Sequence, residues 1–255
     1  IILADLEKYK YLTNAYNQIQ IDLEDKTNIF ELQMSDKVIC HSKFTKETII
    51  NAGISKEKIV TIPYGIDIEY NNSPSKNVLI KPKKRCNFLF LGQGIHRKGL
   101  HHLLEAWKKA DLRFSNLNIV SRYIDPEIRI NAKISDNINF HENINDTIIE
   151  YQKNDVFVMP SIIEGFGYVY LEAFSSGLFC IGTKNSGLKD ISTNKTARII
   201  QPGDLENLSL KLNELQDIVL TNGIDKEMIK SSIKNYTWEN YRDKVSNIAK
   251  KLLNK

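Results

Sequence analysis

Cysteine is scarce in this sequence. Its 255 residues include only Cys40, Cys86 and Cys180, with no Cys-x-x-Cys pair and no histidine at metal-ligand spacing. This excludes a disulfide-rich scaffold and the common zinc-binding patterns. Each cysteine lies in or beside an apolar run. We therefore expect reduced core side chains, which is typical of a cytosolic protein.

Long apolar runs are also absent. No stretch approaches the roughly 20 apolar residues that a membrane-spanning helix needs, and no charged leader with an apolar core opens the sequence. The sequence starts at Ile1 without methionine, so we expect a piece of a longer protein. We predict a cytoplasmic protein, with a position at the cytoplasmic face of a membrane as the open alternative.

The net charge is small. Thirty-five Lys and Arg against 31 Asp and Glu give a net charge of +4. This charge suits a site for an anionic ligand but is too small to indicate a nucleic-acid-binding protein. No nucleic-acid partner is predicted. One basic cluster, at 81–85, is interpreted as a solvated linker, with contact to anionic lipid as its alternative.

Short apolar runs alternate with segments of helical periodicity. The runs lie at 88–91, 117–120, 156–160, 179–182 and 197–200. Because they are continuous and bounded by Gly, Pro or polar residues, they indicate strands buried on both faces. Leucine stripes between them, such as Leu205, Leu208 and Leu212, indicate amphipathic helices. The alternation predicts an α/β fold with a doubly wound parallel sheet.

Turn-forming residues at 71–75 divide the sequence into two parts. Before them we predict a strand at 38–40, a helix from Phe44 to about Asn51 with Ser42 as its N-cap, and a strand at 59–62. A last helix, from about Trp238 to Leu253, needs a surface on which to lie. The predicted division is therefore 1–75, 76–236 and 237–255.

Ligands of doubly wound sheets bind where strands lead into helices, and the loop after the strand at 88–91 is the first candidate. It is rich in glycine, including Gly94, and carries two adjacent cations, Arg97 and Lys98. Glycines allow a close backbone approach, and free helix-start amides with two cations suit a phosphate or diphosphate. A glycine turn with solvated cations is the other interpretation.

The second candidate loop follows the strand at 156–160. Glu164 lies in its glycine-flanked turn, and Glu172 lies eight residues later in the next helix. Carboxylates there can accept hydrogen bonds from sugar or ribose hydroxyls, and the amides of Phe166, Gly167 and Tyr168 can face phosphates. An exposed Glu172 is the alternative, but its neighbours are apolar, and an unpartnered carboxylate among them would be costly.

Histidines offer weaker signals. His141 follows an apolar strand, at a position that could neighbour a nucleobase. His101 and His102 are adjacent on a predicted helix, so they point about 100° apart and cannot jointly hold a metal in simple geometry. We expect both to lie on the helix surface.

The second loop carries a family resemblance. Glu164 and Glu172 resemble the Glu-x7-Glu signature of the family 4 (group 1) retaining glycosyltransferases, and Arg97-Lys98-Gly99 with the strand before it resembles the family's phosphate loop. The resemblance extends from about Ser35 to the end. It implies the GT-B architecture of two Rossmann-like domains facing a cleft. It also implies that 76–236 is the donor-binding domain, that the N-terminal domain is incomplete, and that the last helix packs back toward it.

The resemblance also implies roles for residues of both loops. Lys98 would bind the donor diphosphate with Arg97 as a second cation, Glu164 would contact the transferred sugar, and Glu172 the ribose hydroxyls. The catalytic candidates are Glu164, Lys98 and Arg97. The donor-binding candidates are Gly94, Arg97, Lys98, His141, Glu164, Gly165, Phe166, Gly167, Tyr168 and Glu172. Asp190 departs from the family, which commonly has Glu there.

The implied function is sugar transfer from a nucleotide-diphosphate sugar to a carbohydrate or lipid-linked acceptor with retention of configuration. We expect neither a metal nor a cofactor, because no strict Asp-x-Asp motif is found and fixed cations with helix-end amides can stabilise the leaving diphosphate. Two alternatives stay open: a donor-binding fragment without turnover, and a GT-B phosphorylase or epimerase.

Overall fold

The computed structural model describes residues 8–9, 27–67, 82–131, 135–142 and 146–254. Its first part contains a small parallel sheet of β1 (Val38–Cys40) and β2 (Ile59–Thr61), connected by α1 (Lys43–Asn51). Ser42 caps α1 as predicted, because its hydroxyl accepts a hydrogen bond from the Thr45 amide. A helix also occupies 27–34.

The larger sheet is entirely parallel and has six strands in the described residues, in the order β5-β4-β3-β6-β7-β8. They are β3 (Cys86–Leu91), β4 (Ser115–Val120), β5 (Ile138–His141), β6 (Val156–Met159), β7 (Phe179–Thr183) and β8 (Ala197–Ile200). Every residue of β6 and β7 is buried. The continuous apolar runs are therefore central strands covered on both faces, which confirms the predicted sheet.

Helices follow the strands in the alternating pattern. They are α2 (Leu100–Lys109), α3 (Pro126–Asn131), α4 (Thr147–Lys153), α5 (Tyr168–Ser175), α6 (Leu188–Ile191), α7 (Leu205–Thr221), α8 (Lys226–Ser232) and α9 (Trp238–Leu253). From β3 to β5 the chain moves toward one edge of the sheet, and from β6 to β8 it moves toward the other edge. Because strand-to-strand crossovers are right-handed, α2 lies on one face of the sheet, where it packs against α7, and α4 and α5 pack together on the other.

The predicted surface position of the paired histidines is wrong. His101 and His102 are only 3% and 1% exposed. Tyr9 covers this part of α2. The centroid of its ring lies 4.6 Å from that of His101 and 5.3 Å from that of His102, in edge-on geometry. On the other side, His101 stacks on His96. A contact with a residue some ninety positions earlier buries them, and helical periodicity carries no such information.

The last helix begins beside the segment that follows β2. The Ile66 amide donates to the Tyr236 carbonyl at 2.9 Å, and a Cβ on Gly65 would lie 2.3 Å from the Thr237 backbone. Tyr64 lies 6.1 Å from Trp238 by ring centroids. The start of α9 thus packs against the segment that follows β2. Across the described residues, no helix combines the length and the apolar character that a bilayer crossing requires.

Candidate functional site

Two loops meet at the carboxyl ends of β3 and β6. The Ile162 amide donates to the Arg97 carbonyl at 2.9 Å. Gly99 faces Pro160 so closely that a Cβ at this position would lie 2.1 Å from the Pro160 carbonyl oxygen, and its φ is +72°. Only glycine combines this left-handed backbone with this approach. The glycine therefore allows the first loop to lie directly on the second.

This contact brings the three predicted catalytic residues together. The Lys98 ammonium donates to Glu164 Oε2, and the Arg97 guanidinium lies 3.3 Å from the same oxygen. Arg97 also donates to the Ile163 carbonyl at 3.1 Å. The side chains of Lys98 and Glu164 are only 16% and 13% exposed. Two cations face one carboxylate, so the cluster keeps an excess of positive charge.

The second loop ends in the N-terminus of α5. Gly167 is the N-cap, with a left-handed φ of +81°, and a Cβ there would lie 2.6 Å from the Tyr170 ring. Phe166 is buried and its carbonyl accepts a hydrogen bond from the Gly187 amide at 2.9 Å. The first turn of a helix directs unpaired amides outward, with a partial positive charge. The predicted amide site thus lies in the loop that carries Glu164.

Gly94 is closely packed within the protein. Its amide donates to the Tyr123 carbonyl at 2.8 Å and lies 3.1 Å from the Ser121 hydroxyl. A Cβ at Gly94 would also lie 2.8 Å from the Ile124 side chain. The amide is therefore engaged within the protein, and the glycine is needed for close packing of the first loop.

Glu172 lies beside a cavity of about 250 Å³. The Tyr151 hydroxyl donates to Glu172 Oε2 at 2.8 Å. Burial raises the pKa of the Glu172 carboxyl, and the hydrogen bond from Tyr151 opposes this shift. Within the described residues Tyr151 is the one hydrogen-bond donor found for this carboxylate, which leaves lone pairs for ligand hydroxyls. The described residues lining the cavity are Ile66, Asp67, Thr147, Ile148, Tyr151, Tyr168, Glu172 and Ser176.

This cavity includes Tyr168 and Glu172 among the predicted residues but not His141. His141 ends β5 with an exposed side chain, and its carbonyl accepts from the Ser121 amide at 3.0 Å. Sequence reasoning missed Tyr151 and Asp67, which line the cavity from α4 and from the segment after β2. Nothing in their local sequence signals these positions, since Tyr151 is placed by the packing of α4 on α5 and the neighbour of Asp67, Ile66, by its hydrogen bond with Tyr236. In the part of the chain that the structure describes, no group of three or more His, Cys, Asp or Glu side chains could hold a metal ion.

Comparison with known proteins assigns a family. The model described as "Glycosyl transferases group 1" matches residues 72–235, and the model "Glycosyltransferase Family 4" matches residues 4–70. The first match alone spans more than half of the chain. The chain therefore belongs to the group 1 glycosyltransferases.

Individual relatives agree with this assignment. The sulfoquinovosyl transferase SQD2 of Arabidopsis thaliana is 36% identical over 101 residues, which are 38% of this chain and 20% of the plant protein. The capsular polysaccharide biosynthesis glycosyltransferase CapM of Staphylococcus aureus is 26% identical over 195 residues, 70% of this chain and 51% of CapM. The chain spans about half of the length of CapM.

Solved structures share the fold. A glycosyltransferase from Rickettsia africae superposes with a TM-score of 0.71 at 23% identity, over 86% of this chain and 64% of that one. Anabaena Alr3699/HepE, solved in complex with UDP-glucose, superposes with a TM-score of 0.74 at 15% identity, over 94% of this chain and 70% of that one. These neighbours confirm a GT-B type, Rossmann-like fold.

Proposed function

We propose that this chain forms the donor side of a glycosyltransferase that uses a nucleotide-diphosphate sugar. The observation that carries the proposal is the contact of Lys98 and Arg97 with Glu164 in the loop that leads to Glu172 and its cavity. That arrangement offers cations for a diphosphate, a carboxylate for a sugar and a second carboxylate for a ribose, which are three of the parts of a nucleotide sugar. The UDP-glucose complex of a protein with the same fold supports it.

The nucleoside would occupy the cavity beside Glu172. At about 250 Å³ the cavity falls below the usual range for a whole drug-sized ligand, about 300–1,000 Å³, and suits one end of a longer molecule. The ionised Glu172 would accept hydrogen bonds from the ribose hydroxyls. The ring of Tyr168 also lines the cavity and would contact the nucleoside.

The diphosphate would lie over Lys98, Arg97 and the N-terminus of α5. Departure of the nucleoside diphosphate from the sugar builds negative charge on the leaving phosphate. Fixed cations and helix-start amides in a partly desolvated site stabilise that charge where it develops. Within this proposal Arg97 and Lys98 serve the leaving group, and no metal ion or cofactor takes part.

Glu164 would face the transferred sugar. Its carboxylate is held by two cations, so a bound diphosphate would draw Lys98 and Arg97 partly away from it. The released carboxylate oxygens could then accept hydrogen bonds from sugar hydroxyls. We propose transfer with retention to a carbohydrate or lipid-linked acceptor; the word polysaccharide in the name of CapM supports a glycan product. A lipid-linked acceptor would place the protein at the cytoplasmic face of a membrane.

A second candidate is a donor-binding unit that does not turn over alone. Two observations favour it. The chain covers only 51% of CapM, and the N-terminal sheet of this chain has two strands within the described residues. Calorimetric titration with nucleoside diphosphates and their sugars, paired with a transfer assay, tests both candidates. Binding with transfer supports the enzyme, binding without transfer supports the donor-binding unit, and no nucleotide binding contradicts both.

A further inference from the structure

Two hydroxyl groups of the N-terminal part converge on the loop that carries Glu164. Ser42 and Thr45 both donate to the main-chain carbonyl of Gly165, Thr45 at a distance of 2.8 Å. These contacts join positions 120 or more residues apart in the sequence. A carbonyl oxygen has two lone pairs, so both hydroxyls can be satisfied at once. The peptide between Gly165 and Phe166, one residue after Glu164, is therefore held by two hydroxyls of the N-terminal part.

A third contact joins the same two parts. The Lys43 amide, at the first position of α1, donates to the Asp190 carboxylate at 2.7 Å, and that side chain is only 8% exposed. A carboxylate at a helix N-terminus is stabilised by the positive end of the helix dipole. Asp190 lies in α6, next to Gly187, whose amide holds the Phe166 carbonyl. The start of α1 thus holds Gly165 directly and is linked to Phe166 through Asp190 and Gly187.

We infer that Ser42, Thr45 and Asp190 are positioning residues that set the place of Glu164 opposite Lys98. The inference rests on the proposed function. Release of the Gly165 carbonyl would loosen the peptide between Gly165 and Phe166, one residue after Glu164, and would shift the Glu164 carboxylate relative to Lys98 and Arg97. Glu172 would keep its place, since α5 is anchored in the core by Leu171 and Phe174, which are completely buried. Loss of these hydrogen bonds should therefore weaken binding of the sugar end of the donor and leave binding of its nucleoside end unchanged.

The test compares two threonines of the same helix. Thr45→Val keeps the side-chain shape and removes the donor to Gly165. Thr48→Val is the matched control, because the exposed Thr48 hydroxyl donates only within α1, to the Phe44 carbonyl at 3.0 Å. For each variant, calorimetry gives the affinity for the nucleotide sugar that the unaltered protein binds tightest, and for its nucleoside diphosphate. The ratio of the two affinities isolates the contribution of the sugar.

We expect Thr45→Val to lower this ratio roughly three- to tenfold, the effect of one lost hydrogen bond. Thr45→Ser, which keeps the hydroxyl, should restore the ratio, and Thr48→Val should leave it unchanged. An unchanged ratio in Thr45→Val overturns the inference, and so does an equal loss of both affinities, which would indicate a merely structural role.

Asp190→Asn provides a second, independent variant if Thr45→Val does not fold. It keeps the side-chain size and removes the charge at the start of α1, and we expect a lower ratio in the same direction. An unchanged ratio in Asp190→Asn would then overturn the inference. Failure of the proposed function appears elsewhere: the unaltered protein would bind neither the nucleotide sugars nor the diphosphates, and the inference would fall with it.

Discussion

Lys98 and Glu164, 66 positions apart in the sequence, form an ion pair at the junction of two glycine-containing loops. Both side chains are largely buried, so the pair is less screened than a surface ion pair. A donor diphosphate would compete with Glu164 for the same ammonium. In the proposed function, the ion pair keeps the site organised until the substrate replaces it.

Replacing Lys98 with alanine should weaken binding of nucleoside diphosphates about ten- to hundredfold, because a charge-assisted hydrogen bond contributes about 1.5–3 kcal/mol. Binding of the free nucleoside should change little. Calorimetric titration of both ligands measures the difference. Lys109→Ala is the control, since Lys109 pairs with Glu206 on the exposed surface. Equal losses for nucleoside and diphosphate would show that Lys98 does not face the phosphates.

Glu172→Ala should lose nucleotide affinity while the fold stays intact, since the side chain lies at a cavity edge. The loss should be large for the ribonucleotide and small for its 2′-deoxy or 3′-deoxy analogue, because the deoxy ligand lacks a hydroxyl that the carboxylate would accept. Affinities of the variant and the unaltered protein for each ligand form a double-mutant cycle. If the loss caused by Glu172→Ala is the same for the ribonucleotide and for both deoxy analogues, Glu172 does not contact the ribose hydroxyls.

Nucleotide affinity should also depend on pH through Glu172. Burial raises the pKa of this carboxyl, so on acidification it becomes protonated, and a poorer acceptor, at a higher pH than an ordinary glutamate. We expect affinity to fall as the pH drops through this raised pKa. Glu172→Gln should show a weaker dependence in the same range, as measured by titration at several pH values. Parallel pH profiles of the two proteins would contradict the assignment.

The same raised pKa has a defined effect on stability. In the range between the ordinary and the raised pKa, the folded state binds more protons at Glu172 than the unfolded state does, so stability falls as the pH rises. The unfolding free energy of the unaltered protein should therefore decrease relative to Glu172→Gln through this range and then level off. Urea denaturation at a series of pH values measures it. A relative increase with pH would mean that the pKa of Glu172 is lowered instead.

Local patterns were sufficient to predict most of the fold. Strands β6 and β7 follow from continuous apolar runs, and the start of α1 follows from the capping residue Ser42. For Glu172 the sequence indicated that the carboxylate has a partner, because a carboxylate among apolar neighbours needs one. These features are encoded within a few residues, which is the range over which periodicity and capping act.

Other features depend on contacts between distant segments. The partner of Glu172 is Tyr151 of α4, and no local signal in either helix pairs them. The engaged amide of Gly94 depends on Ser121 and Tyr123 in the neighbouring strand connection. The hydroxyl contact of Thr45 with Gly165 crosses between the two parts of the chain. Such relationships appear only when the chain is packed.

Two glycines of the Glu164 loop should respond differently to alanine. Gly167→Ala places a Cβ 2.6 Å from the Tyr170 ring at a left-handed φ of +81°, and we expect a loss of at least about 1–2 kcal/mol of stability. In Gly165→Ala the added Cβ would lie 3.7 Å from the Thr45 hydroxyl, an ordinary van der Waals contact, so the substitution should cost less. Urea denaturation of both variants makes the comparison. A larger loss in Gly165→Ala would contradict this view of the loop.

A crystal structure of the protein with a bound nucleotide sugar is the most direct measurement of the central claim. The account predicts diphosphate oxygens within hydrogen-bond distance of Lys98 Nζ, ribose hydroxyls at the Glu172 carboxylate, and the sugar facing Glu164. A nucleotide bound away from these three residues, with the ion pair of Lys98 and Glu164 undisturbed, would contradict it.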